Sequence, residues 1–171
     1  EFMKLTELLE CDAYINGNVG SGSVREMAEW VEYLTSGSES PMTKIRKENG
    51  REEPWKVRYW AIGNENWGCG GNMTAEFYAD VMRRYSTYLK DYSGNHLYRV
   101  ACGASDYDYE WTEVLMKDRK NRSMFEGISL HYYSVPGGWS VKNSATKFTE
   151  NDWFETFRLN YQMDVIIKGH K

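Results

Sequence analysis

Two kinds of apolar pattern alternate along the chain. Four short segments are either nearly continuously apolar or alternate between apolar and polar residues. Each segment ends in glycine or polar residues. This pattern is typical of buried strands. The segments are the start of AYINGNVGSG (13–22), VRYWAIG (57–63), YRVACGAS (98–105) and GISLHYYS (127–134). Each is followed by a stretch with apolar residues at helical spacing. This strict alternation predicts an α/β fold with a parallel sheet covered by helices.

The helical stretches carry local start signals. Ser23 can form a capping box with Glu26, Ser40 precedes Pro41 as an N-cap, and Thr74 can cap a further helix. The predicted helices are 2–10, one after Ser23, a short one from Pro41 to near Gly50, one after Thr74, 108–118 and 152–168. Their predicted apolar faces are Met27, Trp30, Val31 and Leu34; Phe77, Val81, Tyr85 and Tyr88; and Trp153, Phe157, Tyr161 and Val165. The chain therefore reads as one helix and then four strand–helix units.

The polar residues of chemical interest fall at the ends of the predicted strands. They lie in Asn16–Ser21, Asn64–Gly71, Ala104–Asp108 and His131–Ser134. Because the carboxyl ends of parallel strands meet at one edge of a sheet, we expect these residues to cluster. Glu65 stands just past a buried strand, so its carboxylate is expected in a pocket. A solvated loop glutamate is the alternative reading.

Composition excludes several classes of partner. The formal charge of −4 and the pI near 5.5 give no basic field for nucleic acid. No apolar run is long enough to span a membrane and residues 1–10 lack a signal-peptide pattern, which predicts no membrane partner and a cytoplasmic location. The three widely spaced cysteines are interpreted as free thiols, and the glycines after Glu65 lack the GK[ST] of a phosphate loop. The sequence predicts neither a metal nor a cofactor, whereas 15% aromatic content suits a site that stacks on sugars.

Several segments resemble a known enzyme family. GNENWGCGGNMTAEFYADVMRRY closely resembles the acid/base segment of the α-L-arabinofuranosidases of glycoside hydrolase family 51. NVGSGSVREMAEWVEYLT, SPMTKIRKENGREEPWKV and GISLHYYSVPGGW are similar to its neighbouring segments, in the right order. The resemblance covers essentially the whole chain. It implies a (β/α)8 TIM barrel, of which this chain covers about four βα units, the third to the sixth strands.

The resemblance also implies roles for individual residues. Glu65 would be the general acid/base, and Asn64 would hydrogen-bond the 2-hydroxyl of the sugar. His131 and Tyr133 would orient the catalytic carboxylates and contact the sugar. The implied substrate-binding residues are Asn64, His131 and Tyr133, with Asn18 and Trp67 as weaker correspondences. The implied substrate is an arabinofuranosyl oligosaccharide or polysaccharide, from which terminal α-L-arabinofuranosyl residues would be removed with retention.

A retaining glycosidase mechanism places specific requirements on Glu65 and its surroundings. Two carboxyls about 5–5.5 Å apart are needed, one protonated to donate to the leaving oxygen and one ionised to attack the anomeric carbon. The proton donor requires a raised pKa, which an apolar wall such as Trp67 and a neighbouring carboxylate could provide. Trp67 as a packing residue and His131 as a strand-end histidine satisfied by backbone are the alternatives.

The chain also departs from the family pattern. A full barrel has eight strands and about 250 residues, so residues 1–171 are expected to be the central part of the catalytic domain, without the remaining strands and the β-sandwich domain. The family nucleophile, a glutamate on the seventh strand, is expected outside this chain. The other strand-end acids, Asp106 and Asp108, are interpreted as loop or cap residues. We therefore expect an oligomer, or dependence on the missing barrel segments.

Two other functions remain open from the sequence. One is a carbohydrate-binding or interaction module that holds sugar on its aromatic strand-end surface without turnover. The other is a different retaining glycosidase of the same clan, since Asn-Glu at the end of the fourth strand is shared across it.

Overall fold

The computed structural model describes all residues from 1 to 171. The chain forms eight helices and four strands, where the sequence predicts six helices and four strands. In chain order they are α1 (Phe2–Leu8), β1 (Tyr14–Gly17), α2 (Val24–Thr35), α3 (Pro41–Glu48), β2 (Tyr59–Ile62), α4 (Ala75–Tyr88), β3 (Tyr98–Ala101), α5 (Tyr109–Lys117), α6 (Arg119–Arg122), β4 (Gly127–Ile128), α7 (Glu150–Asn160) and α8 (Gln162–His170). None of the helices is long and apolar enough to cross a membrane.

The strands form one parallel sheet in the order β1-β2-β3-β4. Tyr14, Tyr59 and Tyr98 stand in register on neighbouring strands, so the carboxyl ends of the strands are also aligned. The parallel α/β prediction is confirmed. The fourth strand is shorter than predicted, because regular pairing covers only Gly127–Ile128 and a single parallel bridge joins Ser105 to His131 further along.

Helices cover one face of the sheet and build the core against it. The ring of Trp60 is fully buried and meets Trp30 of α2 edge-on, with the ring centroids 5.3 Å apart. The hydroxyl of Tyr78, on α4, donates to the carbonyl of Ile62 and accepts from the N–H of Cys102. One buried phenol therefore joins the ends of β2 and β3, where the chain leaves the sheet.

The local helix signals are confirmed. The side chains of Ser23, Ser40 and Thr74 accept from backbone N–H groups at the helix starts, and the first two form capping boxes. Asp108, interpreted as a cap or loop acid, is the N-cap of α5 and accepts from the N–H of Trp111. These interactions span only three residues of chain, so the sequence alone can predict them.

Two predicted apolar faces differ from the structure. On α4, Phe77 and Tyr88 are 57% and 53% exposed, whereas Tyr78, Ala79, Met82 and Tyr85 are buried. The helix is apolar over more than one face, and docking against β2 and β3 selects the face that carries Tyr78. The predicted helix 152–168 is interrupted at Tyr161, and it buries Ile166 instead of its predicted apolar face. The four residues of that predicted face are exposed, namely Trp153, Phe157, Tyr161 and Val165.

Candidate active site

Glu65 lies in a tight turn directly after β2. The N–H of Gly63 donates to the carbonyl of Gly17 and so continues the parallel ladder to the edge of the sheet. Glu65 itself adopts a left-handed backbone with φ of 47°, which few residues other than glycine and asparagine adopt without strain. Its carbonyl oxygen accepts from the N–H groups of Gly68 (2.8 Å) and Gly70 (2.9 Å). The backbone is therefore folded back at the position of the predicted acid/base.

Asn66, which is not among the predicted site residues, anchors this turn through its side chain. Its side chain is 1% exposed, and its Nδ2 donates to the carbonyl of Gly70 at 2.7 Å. Its own carbonyl accepts from the N–H of Met73. The signal that could have found it is an asparagine in a glycine-rich loop after a buried strand, because an amide side chain can satisfy backbone groups that a turn leaves free.

Gly70→Ala is expected to disrupt the turn. A Cβ at this position would lie 1.9 Å from the carbonyl oxygen of Asn64, and a backbone atom cannot move aside as a flexible side chain can. We expect a loss of about 3 kcal/mol in the free energy of unfolding, at the upper end of overpacking costs, together with loss of the site geometry. Gly68→Ala is the matched control in the same turn, because its nearest contact would be 3.8 Å away. Equal thermal stability of the two variants, measured by calorimetry, would contradict this expectation.

Glu65 and His131 are brought together across the sheet edge. His131 Nδ1 lies 2.8 Å from Glu65 Oε1, and the two side chains are only 25% and 17% exposed. The backbone of His131 is held by a bond from its N–H to the carbonyl of Ala104 and by the N–H of Asp106, which donates to its carbonyl. The expectation that these two residues converge at the carboxyl ends of the strands is met. Glu65 is therefore a partly buried, paired carboxylate rather than a solvated loop residue.

The pKa of Glu65 moves in the direction opposite to the sequence-based expectation. The hydrogen bond from His131 lowers the pKa of this carboxyl, and the thiol of Cys69 adds to the lowering, whereas burial opposes both. The expected raised pKa required a neighbouring carboxylate, and the groups that act on Glu65 here are an imidazole and a thiol. A second carboxylate about 5–5.5 Å away, as in a retaining pair, would push the pKa upward by like-charge repulsion.

Trp67 supports the histidine. Its Nε1 donates to the carbonyl of Gly103 at 3.0 Å, and its ring meets the ring of His131 edge-on, with the centroids 6.3 Å apart. The ring is partly buried against the core. These contacts agree with the alternative that Trp67 is a packing residue. A contact between Trp67 and the sugar stays a prediction.

The side chains of the other predicted substrate-binding residues make no hydrogen bond to the Glu65 carboxylate, whose partners are His131 and Cys69. Asn64 is exposed immediately before it. The side chain of Asn18 is taken up by its own loop, where Oδ1 accepts from the N–H groups of Gly20 and Ser21. Tyr133 is exposed and its ring meets that of Trp139 edge-on at 4.8 Å. Their roles in binding stay predictions.

A parallel βα sheet whose polar residues gather at the carboxyl ends of its strands is the arrangement found in the active sites of α/β-barrel enzymes. Residues 11–152 match the protein-family model that is described as the α-L-arabinofuranosidase 1 domain. The chain is 51% identical over 170 residues to an intracellular exo-α-L-arabinofuranosidase from Bacteroides ovatus, covering 99% of this chain and 33% of that protein. The chain belongs to glycoside hydrolase family 51, the α-L-arabinofuranosidases.

Solved structures agree with this assignment. The family 51 arabinofuranosidase from Xanthomonas axonopodis pv. citri superposes with a TM-score of 0.93 at 46% identity, over 99% of this chain and 34% of that one. The α-L-arabinofuranosidase from Thermotoga maritima superposes with a TM-score of 0.71 at 23% identity, over the same shares of the two chains, and supports the fold alone. The four βα units are thus part of a TIM barrel, and the chain spans about a third of the length of these relatives.

Proposed function

We propose that residues 1–171 are the central part of the catalytic barrel of an α-L-arabinofuranosidase and that they supply its general acid/base, Glu65. The observation that carries the proposal is the pairing of Glu65 with His131 at the carboxyl-terminal edge of the sheet, 2.8 Å apart. Family membership supports the reaction class, and the remaining barrel strands would supply the nucleophilic carboxylate. We further propose a cytoplasmic location, since the Bacteroides ovatus relative is named as intracellular.

The proposed reaction is a double displacement. Protonated Glu65 donates its proton to the glycosidic oxygen while the nucleophilic carboxylate attacks the anomeric carbon, which breaks the bond to the leaving group and forms a glycosyl-enzyme ester. Glu65, now ionised, takes a proton from water, and the oxygen of that water attacks the anomeric carbon and releases the nucleophile. Arabinose therefore leaves with the configuration of the substrate.

The chain's other residues hold the acid/base and the sugar. His131 contacts one oxygen of the Glu65 carboxyl and so limits rotation of the carboxyl. Asn64, exposed beside Glu65, would donate its amide to the 2-hydroxyl, and Tyr133 would contact the ring. The substrate would be the terminal α-L-arabinofuranosyl residue of an arabinan- or arabinoxylan-type oligosaccharide.

The stereochemistry of the product tests this mechanism. With a full-length enzyme and an aryl α-L-arabinofuranoside, proton NMR during the first minutes is expected to show α-arabinofuranose before mutarotation, because two inversions give net retention. A first product of β configuration would exclude the double displacement. Binding of arabino-oligosaccharides without any release of arabinose would instead favour the binding-module alternative, and preference for another glycoside would favour a different glycosidase of the clan.

A further inference from the structure

The second oxygen of the Glu65 carboxyl also has a partner. Cys69 Sγ lies 3.3 Å from Glu65 Oε2, whereas His131 Nδ1 lies 2.8 Å from the other oxygen, Oε1. A neutral thiol carries one weak donor, so this contact is a hydrogen bond from S–H to the carboxylate. The carboxyl group is therefore held at both of its oxygens.

The turn after β2 directs Cys69 toward Glu65. The Glu65 carbonyl accepts from Gly68 and Gly70, the residues that flank Cys69. Asn66 Nδ2 in turn holds the carbonyl of Gly70. The backbone on both sides of Cys69 is thus fixed by bonds to Glu65 and Asn66, and the thiol returns over the side chain four residues before it.

We propose that Cys69 is a positioning residue for the acid/base, whose thiol fixes the Glu65 carboxyl at the oxygen that His131 does not contact. This inference rests on the proposed function, in which Glu65 exchanges a proton with the glycosidic oxygen and with water. Cys69 does not touch substrate in this scheme. It acts by limiting rotation of the carboxyl and by adding a neutral donor that favours the ionised form.

A thiol suits this role because it stays neutral beside a carboxylate. Three titratable groups face Glu65, namely His131 from the end of β4, Cys69 from its own turn and Cys102 from the end of β3. The hydrogen bond to Glu65 raises the pKa of the Cys69 thiol. Burial raises the pKa of the Cys102 thiol to about 11. Neither thiol therefore adds a negative charge near neutral pH.

Removal of the Cys69 donor should change the pKa of Glu65 in a defined direction. The bond to Cys69 lowers the pKa of Glu65, so its loss raises that pKa. The first step requires protonated Glu65, and kcat/KM falls as the pH rises through this pKa. In Cys69→Ala, the basic limb of the pH profile should therefore move to higher pH. We also expect kcat to fall about tenfold with little change in KM, because a carboxyl held at one oxygen instead of two is less often aligned with the leaving oxygen.

The experiment compares four variants of the full-length enzyme over the pH range, with an arabinofuranoside whose leaving group is poor. Cys69→Ala removes the donor, Cys69→Val removes it while filling the space, and Cys69→Ser retains a donor. Cys11→Ala is the control, since Cys11 is an exposed cysteine between α1 and β1, at the opposite ends of the strands. The inference predicts an upward shift of the basic limb in the Ala and Val variants, rescue by Ser and no change in the control.

The failure of this inference is distinguishable from that of the proposed function. An unmoved basic limb in both Cys69→Ala and Cys69→Val, or a loss that Ser does not rescue, overturns the positioning role. Glu65→Gln is measured in parallel with the same substrate. If that variant keeps full activity, the acid/base role of Glu65 fails and the positioning role falls with it; if it is inactive while the Cys69 variants match the wild type, only the positioning role is overturned.

Discussion

Glu65→Ala in the full-length enzyme is expected to lose about 10²–10⁴-fold in kcat/KM on natural oligosaccharides and on aryl arabinofuranosides with poor leaving groups. With a strongly activated leaving group such as a dinitrophenolate, the loss in the first step should be far smaller, because that group departs without protonation. The plot of log kcat/KM against leaving-group pKa should therefore become steep in the variant.

The control for this prediction is Glu76→Gln, which changes an exposed carboxylate in the first turn of α4, in the element that follows the Glu65 turn. It should behave as the wild type with every leaving group. A Glu65→Ala variant with equal losses across the series would point to a general structural defect and remove the assignment of Glu65 as proton donor.

The second large effect concerns the 171-residue polypeptide expressed by itself, which we expect to show no measurable turnover of an aryl α-L-arabinofuranoside. Covalent catalysis needs a nucleophilic carboxylate opposite the acid. The groups that act on Glu65 in the structure are an imidazole and a thiol. Of the two other strand-end acids, Asp108 caps α5 and Asp106 accepts from the hydroxyl of Ser105.

We also expect the 171-residue polypeptide to self-associate, which size-exclusion chromatography of the same sample tests. β1 and β4 are the outer strands of the sheet, and unpaired strand edges favour pairing with other chains. The control is a full-length polypeptide that contains the same residues. Turnover by a folded 171-residue monomer that disappears with Glu65→Gln would show that the nucleophile lies within this chain.

Interactions short in sequence were predictable in detail. The capping box at Ser23 and the N-caps at Ser40 and Asp108 each join residues three positions apart, so a short stretch of sequence is enough to predict them. Strand–helix alternation is likewise a local periodicity, and from it follows the expectation that polar strand ends gather at one edge. The family resemblance added the predicted role of Glu65 as the general acid/base.

Only the tertiary structure decided the features that depend on residues far apart in the sequence, namely the partners of Glu65 and the buried face of α4. Glu65 and His131 are 66 positions apart, and their pairing, with the lowered pKa that it causes, exists only because parallel strands end at the same edge. Docking against β2 and β3 decided which face of α4 is buried, because this helix carries apolar residues on more than one face. The sequence thus determined the elements and the position of Glu65, whereas long-range packing determined the partners that set its proton affinity.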